Sequence, residues 1–400
     1  MWVVRRLREA GHEALFAGGC VRDMLLRRRC SDYDVATDAT PQQVKRLFPR
    51  VLLIGAKFGV AVVLRGGRKV EVATFRSDVS YSDGRRPDAV RFSSPREDAL
   101  RRDFTINGMF FDPIGRKVID YVGGRRDLDR GVVRTIGTPD DRFGEDYLRM
   151  LRAMRFAVRL GFRIEPATAA AVREHAAKIT GISGERVYDE LYTMLAAGSA
   201  GEALRRLDEL GLARHVLGEL FVPDLLWPAA VARVGKVASR KDLTLTFGAL
   251  LGELSGGAIG TLTRRWGASN ELRDAVRWLS SHLGEWGRVA EMSLAGFRRL
   301  AGHEQFGRLR VLWRVEEQRA TGGRKSVAAV TRQSKAIPPG EPALPAPLVT
   351  GLDLLTMGVP EGPRLGRLLR AAYDAQLNRT LRTRAAALAW VRRHMDDSHE

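Results

Sequence analysis

The chain has 400 residues, of which 66 are Lys or Arg and 47 are Asp or Glu, so its formal net charge is +19. A field of this sign attracts polyanions and favours nucleic acid as a partner, although a generally Arg-rich composition would also explain it. Two cysteines cannot form a disulfide framework, and no segment approaches about eighteen consecutive apolar residues, which excludes a disulfide-stabilised scaffold and a membrane-spanning helix.

The first predicted elements are a strand and a helix separated by two glycines. An apolar run at residues 14–17 leads to Gly18 and Gly19, which let the backbone approach an anion closely. The helix that starts near Cys20 offers free N–H groups, and Arg22 in its first turn can meet a phosphate oxygen. A Gly-Gly pair before a helix is, taken alone, usually only a turn.

Two carboxylates follow at Asp32 and Asp34, in the segment SDYDVAT. We interpret this segment as a short strand, in which alternate side chains share a face, so that both carboxylates converge. Such a pair can hold Mg²⁺ between itself and a triphosphate, but a D-x-D pair can also be a solvated strand end. Glu71, on a later predicted strand, could approach the pair as a third metal ligand, or it could pair with a surface arginine.

The N-terminal region is predicted to form a small mixed sheet backed by helices. Strand patterns cover residues 51–54, 59–64, 69–74 and 110–112, with a glycine turn at 65–68. The polar segment Tyr81–Pro87 lies between two predicted strands and has the composition of a loop that could fold over a substrate.

A second basic segment, RRDFTINGM, occupies residues 101–109. Its alternation predicts a strand that begins with Arg101 and Arg102, two cations near the phosphate site. A basic pair at the surface would fit the same residues.

The pattern changes after Thr138, where apolar residues begin to recur at three- and four-residue spacing and strand patterns largely vanish. The fold class is therefore an α+β head followed by an all-α remainder. We predict a catalytic head at 1–137, a helical neck at 138–200, a helical body at 201–336 and a helical tail at 348–400. The proline-rich segment 337–347 connects body and tail.

One predicted neck helix, residues 145–157, carries the most specific chemistry. Asp146 and Arg149 are three residues apart, hence neighbours on one face, and Arg152 and Arg155 continue the same ridge. Cytosine and adenine both present an amino donor beside a ring-nitrogen acceptor, whereas uracil and guanine present a carbonyl beside an N–H. An Asp–Arg pair could therefore accept C and A and reject U and G. An ordinary intrahelical ion pair is the alternative.

Four motifs in order, GGxVRD, DxD, RRDFTINGM and EDYLRMLRAMRFA, resemble those of the class II tRNA nucleotidyltransferases and the related bacterial poly(A) polymerases. The resemblance implies a nucleotidyltransferase head that adds C and A from CTP and ATP to the 3′ end of tRNA, with Mg²⁺ and without a template. It implies catalytic and metal-binding roles for Asp32 and Asp34. It implies that the nucleotide is bound by Gly18, Gly19, Arg22, Arg102, Asp146, Arg149, Arg152 and Arg155.

Related activities share these motifs. A poly(A) polymerase, or an enzyme that adds only the final A or only the two Cs, would fit them equally well. The segment Tyr81–Pro87 resembles a loop present in complete CCA-adding and A-adding enzymes, and this favours an enzyme able to add A. A non-catalytic RNA-binding protein is disfavoured, because Asp32, Asp34, Asp146 and Arg149 are intact.

The remaining expectations concern partners and location. The helical body and tail should grip the acceptor stem through its backbone and shape, as expected for A-form RNA. The N-terminal segment lacks the apolar core of a signal peptide, so we expect a cytoplasmic protein. The sequence does not indicate an oligomeric state.

Overall fold

The computed structural model describes residues 1–30, 32–54, 58–78, 90–221 and 226–395. The chain divides into two compact units. The first comprises residues 1–227, 238–241 and 264–268, and the second comprises residues 228–237, 242–263 and 269–400. The first unit includes both the predicted head and the predicted neck, so the boundary between them stays a prediction. The segment Tyr81–Pro87 lies outside the described residues.

The strands are short and lie in the first unit. They are β1 (Ala14–Ala17), β2 (Val35–Thr37), β3 (Val51–Leu52), β4 (Val60–Arg65), β5 (Arg68–Thr74), β6 (Arg76–Asp78), β7 (Val90–Phe92), β8 (Met109–Asp112), β9 (Lys117–Asp120), β10 (Val132–Val133) and β11 (Arg163–Ile164). The main sheet has the order β3-β4-β5-β2-β1-β8-β9. Its β2–β5 pair is parallel and its other pairs are antiparallel, so the sheet is mixed, as predicted.

The described helices fill the remainder of both units. They are α1 (Trp2–Glu9), α2 (Gly19–Leu25), α3 (Pro41–Leu47), α4 (Pro95–Leu100), α5 (Gly124–Asp129), α6 (Pro139–Glu145), α7 (Leu148–Leu160), α8 (Pro166–His175), α9 (Gly184–Leu195), α10 (Ala200–Glu209), α11 (Leu212–Val216), α12 (Leu226–Val237), α13 (Leu243–Leu251), α14 (Gly256–Arg265), α15 (Asn270–His282), α16 (Leu294–Ala301), α17 (Phe306–Thr321), α18 (Lys325–Lys335), α19 (Gly351–Thr356), α20 (Pro363–Leu377) and α21 (Arg384–Met395). The predicted α+β head and helical remainder are confirmed.

The main sheet is covered on both faces. On one face, Phe16 and Val72 pack with Leu7 of α1, Val21 of α2 and Phe156 of α7 in one buried cluster. On the other face, a smaller cluster joins α4 to apolar side chains of β1, β2, β8 and the residue after β5, namely Leu15, Ala17, Ala36, Phe75, Ala99 and Phe110. Burial on both faces fixes the strand register, because a slip by one residue would exchange the two sets of side chains.

Two sequence predictions in this unit are wrong. SDYDVAT does not form a strand throughout, because β2 begins only at Val35. Its neighbour β1 ends at Ala17, where Gly18 turns the chain away, so the antiparallel pairing of β1 with β2 does not extend to Asp32. Residues 101–106 are not a strand either. They follow α4 and lead into a 3-10 turn at Thr105–Asn107.

Among the residues that the structure describes, none of the helices is both long enough and apolar enough to cross a membrane.

Candidate active site

An open cavity of about 580 Å³ lies in the first unit, where α2, the 3-10 turn at 105–107, α7 and α9 approach one another. Its wall includes all eight predicted nucleotide-binding residues and Asp34, namely Gly18, Gly19, Arg22, Asp34, Arg102, Asp146, Arg149, Arg152 and Arg155. The wall also includes Arg76, Arg101, Asp103, Asn107, Leu148, Phe156, Arg159 and Arg186. Asp32 and Glu71 are not part of it. The structure thus brings residues of all four sequence motifs to one concave surface.

The glycine turn at the cavity is required by geometry. Gly18 has φ 71° and ψ −127°, a conformation that residues with a Cβ rarely adopt. A Cβ on Gly18 would also lie 2.8 Å from Nη1 of Arg102. The missing side chain therefore lets Arg102 approach the backbone where β1 ends and α2 begins.

Three carboxylates, Asp32, Asp34 and Glu71, lie near the start of β2, beside this turn. Asp34 precedes β2 and Glu71 lies in β5, and the parallel pairing of Val35 with Val72 brings both to the same level. Burial raises the pKa of the Asp34 carboxyl, the charges of Glu71 and Asp32 raise it further, and Arg102 opposes them. The sequence placed Asp32 and Asp34 on a strand. Their proximity instead comes from the segment that precedes β2.

This carboxylate group has the chemistry of a site for a hard divalent cation. Carboxylate oxygens are the ligands that Mg²⁺ and Ca²⁺ prefer. The raised pKa of Asp34 indicates that its negative charge is poorly compensated by the protein alone. A bound cation would reverse this balance, so the residues present fit a metal.

Arg22 lies in the cavity wall with only 3% of its surface exposed. Its Nε donates to Oδ1 of Asp23 at 2.8 Å, its Nη1 donates to Oδ1 of Asn107 at 2.7 Å, and the guanidinium lies over the ring of Phe156. Burial lowers the pKa of this guanidinium, while the charge of Asp23 opposes the shift. Arg22 is therefore held in one orientation by contacts on several sides.

Asp98 holds the two arginines of the second basic segment. The carboxylate is 1% exposed; Oδ2 accepts from Nη2 of Arg102 at 2.9 Å, and Oδ1 accepts from Nη2 of Arg101 at 2.7 Å. Burial alone would raise the pKa of Asp98, but the charges of Arg102 and Arg101 lower it overall. The sequence predicted a strand here. The capping box of Ser94 and Glu97 instead starts α4, which delivers both arginines from one helix end.

The predicted neck helix is interrupted at Asp146. α6 ends at Glu145 and α7 begins at Leu148, and Asp146 between them is extended, with φ −161° and ψ 104°. Its Oδ1 accepts from the backbone N of Leu148 at 3.1 Å, and this bond satisfies a free N–H at the start of α7. The prediction that Asp146 and Arg149 lie on one face of a single helix is therefore wrong.

Asp146 and Arg149 have different hydrogen-bond partners. Oδ2 of Asp146 accepts from Nη2 of Arg186 at 2.7 Å. Arg149 donates from Nη1 to the carbonyl of Arg142 at 2.9 Å and pairs with the carboxylate of Glu145. Neither arrangement is the simple intrahelical ion pair considered from the sequence. Both side chains remain in the cavity wall.

Two more cations of α7 are held by carboxylates from other elements. Arg152 donates from Nη2 to Oδ2 of Asp103 at 2.6 Å, and Arg155 donates from Nε to Oε2 of Glu190 at 2.5 Å. Burial would raise the pKa of Asp103, but Arg152, Asn107 and the backbone N of Phe104 lower it to about 2. The arginines of α7 are thus ordered before any ligand binds.

Sequence reasoning missed several polar residues of the wall, including Asn107 and Arg186. Asn107 lies inside the RRDFTINGM motif, and its place in that motif was the unused signal. Arg186 lies on α9, and no local pattern links it to Asp146. Only the tertiary structure shows that contact.

Two other groups of residues have features of a binding site. An open cavity of about 900 Å³ in the second unit is lined by Arg277, Trp278 and Trp286, among others, and contains none of the predicted site residues. Ligand atoms of Asp140, Glu174 and His175 lie within 4.8 Å of one another. His175 is already paired with Asp140 at 2.9 Å, so this group needs no metal to explain it.

Comparison with known protein families gives two matches. Residues 14–134 match the poly A polymerase head domain. Residues 161–222 match a probable RNA and SrmB-binding site of polymerase A. The first match contains the carboxylate group and Asn107, and the second contains Arg186.

The chain is similar to several CCA-adding enzymes. The CCA-adding enzyme of Lactobacillus gasseri is 33% identical over 392 residues, which cover 96% of this chain and 94% of that protein. The CCA-adding enzyme of Bacillus subtilis is 45% identical over 217 residues, so the match spans only 54% of each protein. A crystal structure of the Bacillus stearothermophilus CCA-adding enzyme in complex with CTP is 29% identical with a TM-score of 0.81, covering 99% of this chain and 96% of that one.

Proposed function

The chain belongs to the family of CCA-adding enzymes, and from that premise we propose that it adds C and A nucleotides from CTP and ATP to the 3′ end of tRNA. One observation carries the proposal. A single cavity wall contains Asp34 of the carboxylate group, the arginines that suit a triphosphate, and the Asp146 and Arg149 side chains that suit a base edge. These are the three recognition tasks that template-independent nucleotide addition requires.

The charge of the wall supports a triphosphate ligand. It contains nine arginines, namely Arg22, Arg76, Arg101, Arg102, Arg149, Arg152, Arg155, Arg159 and Arg186, against three acidic residues, Asp34, Asp103 and Asp146. A nucleoside triphosphate would offset this excess of positive charge. We assign the triphosphate and sugar to Gly18, Gly19, Arg22, Arg102, Arg152 and Arg155. Because buried carboxylates or amides already orient Arg22, Arg102, Arg152 and Arg155, little reorganisation accompanies binding.

The metal we propose is Mg²⁺, held by Asp32 and Asp34 with Glu71 beside them. When bound, it would supply activation of the ribose 3′-OH and charge neutralisation on the departing pyrophosphate. The residues act by position. The charge of Glu71 raises the pKa of Asp34 and the charge of Arg102 lowers it, so the carboxylate group and a triphosphate-binding cation act on the same side chain.

Base selection is assigned to Asp146 and Arg149. Oδ2 of Asp146, already an acceptor for Arg186, retains a lone pair that can accept from the amino group of C or A, and Arg149 retains N–H donors for the ring nitrogen. U and G would place a carbonyl against the carboxylate and an N–H against the guanidinium. Each such buried mismatch costs about 1–3 kcal/mol, so two mismatches give strong discrimination.

We assign the remaining domains to RNA binding. We propose the head at residues 1–137, the nucleotide-selecting neck at 138–200, the body at 201–336 and an RNA-binding tail at 348–400. The tail has its own buried cluster, which includes Val349, Leu354 and Val391, so its exposed arginines have a folded support. We further propose that the protein acts in the cytoplasm.

The test is direct. Purified protein is incubated with tRNA transcripts that end before CCA, after one C and after two Cs, with CTP and ATP supplied singly and together, and the products are sequenced. We expect CCA, CA and A to be added, respectively. Repeated addition of A without C would instead identify a poly(A) polymerase, the second candidate, which shares the head domain. Absence of any addition by folded protein would contradict both.

A further inference from the structure

Asn107 lies at the centre of the hydrogen-bond network of the cavity. Its Oδ1 accepts from Nη1 of Arg22 at 2.7 Å, and its Nδ2 donates to Oδ1 of Asp103 at 3.1 Å. Its backbone carbonyl accepts from Nη1 of Arg102 at 3.3 Å. Asp103 in turn accepts from Arg152. One residue therefore connects the arginine of α2, the arginine that follows α4 and the arginine of α7.

Only an amide satisfies both side-chain partners. Arg22 can only donate hydrogen bonds, and ionised Asp103 can only accept them, so the group between them must accept at one end and donate at the other. The same requirement fixes the orientation of the amide. Asn107 is 7% exposed, so water cannot readily replace either bond.

We propose that Asn107 is a positioning residue for nucleotide transfer, which holds the arginines at the phosphates and at the sugar in one rigid frame. The inference rests on the proposed function of the same cavity. Without the amide, Arg22 keeps Asp23 as its partner but loses its connection to Asp103 and Arg152. The cations would then no longer be fixed relative to one another when a triphosphate binds.

The isosteric substitution N107D gives a result that depends on pH. It places a second carboxylate 3.1 Å from the Asp103 carboxylate, where the amide nitrogen now lies. The charges of Arg22 and Arg102 favour the ionised form of the new carboxyl group, and the charge of Asp103 disfavours it. Asp23 in turn pairs with Arg22, and Arg152 pairs with Asp103. Two close carboxylates share a proton at lower pH, and this proton restores the missing hydrogen bond. N107L has no such proton.

T105V provides a matched control in the same turn. Thr105 is buried, and its hydroxyl donates to Asp127 at 2.8 Å. Asp127 pairs with Arg134, which is not part of the cavity wall. This variant removes one buried hydrogen bond at a position two residues before Asn107. A purely structural contribution of the turn should therefore affect T105V and N107D alike.

The experiment measures kcat and KM for CTP on a tRNA transcript that lacks CCA, at pH 8 and pH 6, with melting curves for every variant. We expect kcat/KM of N107D to fall at least tenfold at pH 8 and to recover several-fold at pH 6 relative to wild type. N107L should fall similarly without recovery, and T105V should keep its kcat/KM while melting earlier. Wild-type values for N107D at pH 8, or equal losses in N107D and T105V, would overturn the inference.

Two further measurements keep the test decisive. If N107D does not fold, N107L is compared with T105V: kcat/KM should fall at least tenfold in N107L and stay near the wild-type value in T105V, and equal losses would contradict the frame. If wild type transfers neither C nor A, the proposed function fails, and the inference is then judged by binding. CTP should raise the melting temperature of wild type more than that of N107L, and an equal rise would overturn it.

Discussion

Arg186 donates a hydrogen bond from Nη2 to Oδ2 of Asp146 at 2.7 Å, although forty residues separate them in sequence. The carboxylate that we propose for base selection is thus oriented by α9. Charge-assisted bonds of this kind are short and directional, so the contact fixes the orientation of the carboxylate. A base-selecting residue placed between two helices needs such an external partner.

The first prediction concerns nucleotide choice. Asp146→Ala and Arg149→Ala should misincorporate UTP and GTP, with a larger loss of discrimination than of rate at saturating triphosphate, because each removes one half of the base contact. Arg186→Ala should show the same change by a smaller factor. Single-nucleotide incorporation kinetics with all four triphosphates measure this, with the exposed Arg125→Ala variant as control. Undiminished preference for C and A would assign selection to other residues.

The second prediction concerns the carboxylate group. Asp32→Ala and Asp34→Ala should abolish nucleotide addition at saturating Mg²⁺, because each removes a proposed metal ligand, while tRNA affinity stays nearly unchanged. Primer extension measures nucleotide addition, and filter binding measures tRNA affinity. Asp38→Ala, an exposed aspartate just beyond β2, is the matched control. Extension at the wild-type rate by either variant would contradict the metal assignment.

The third prediction concerns acid stability. The folded-state pKa of Asp103 is about 2, below its ordinary value of 3.8, so its contribution to stability is present above that value and is lost as pH falls. This shift corresponds to about 2 kcal/mol, lost between roughly pH 5 and pH 2. Urea unfolding over this range should therefore show a smaller acid-induced loss of unfolding free energy in D103N than in wild type. Equal losses would mean that the pKa of Asp103 is not lowered in the folded state.

The fourth prediction concerns packing beneath the site. A Cβ at Gly124 would lie 2.1 Å from the carbonyl oxygen of Thr105, so Gly124→Ala must displace the 3-10 turn that carries Asn107. We expect the free energy of unfolding to fall by about 2 kcal/mol or more. Gly144→Ala is the matched control, since a Cβ there meets nothing within 4 Å and alanine favours the helix. Equal melting temperatures for the two variants would contradict the prediction.

The fifth prediction concerns RNA binding by the tail. Replacing its exposed arginines Arg367, Arg382, Arg392 and Arg393 with Gln should weaken tRNA binding and flatten its salt dependence, by up to about 0.9 in the logarithmic slope for each phosphate that is no longer neutralised. The control replaces four exposed arginines of the head, Arg5, Arg6, Arg68 and Arg116. Binding isotherms at several salt concentrations measure both. An equal change in the control would mean that the tail makes no specific contribution to RNA binding.

Local sequence patterns predicted most of the fold. The strands at β4, β5 and β8 are confirmed within one residue of each end, because alternating β-branched residues and the glycine turn at 65–68 specify them locally. The Gly18–Gly19 turn was equally clear from the sequence. The eight nucleotide-binding candidates gather in one cavity wall, but their individual roles stay predictions.

The wrong predictions concern segments in which a side-chain hydrogen bond, not the intrinsic helix or strand propensity, determines the backbone conformation. Nothing in EDYLRMLRAMRFA disfavours a continuous helix, yet Asp146 accepts from the N–H of Leu148, and α7 starts three residues later than predicted. At residues 101–106 a usable signal existed. Ser94, Pro95 and Glu97 form a capping-box pattern that predicts α4, whereas the strand prediction rested only on the alternation that follows. The contact of Arg186 with Asp146 depends on how α9 packs, which no local pattern encodes.

The strand order has a consequence for the synthesis of this protein. β1 lies between β2 and β8, so one edge of this apolar strand has no partner until the ribosome has released residues 109–112. An unpaired apolar edge is a template for association with other chains. We expect nascent chains that stall before β8 to need chaperone protection and to aggregate without it.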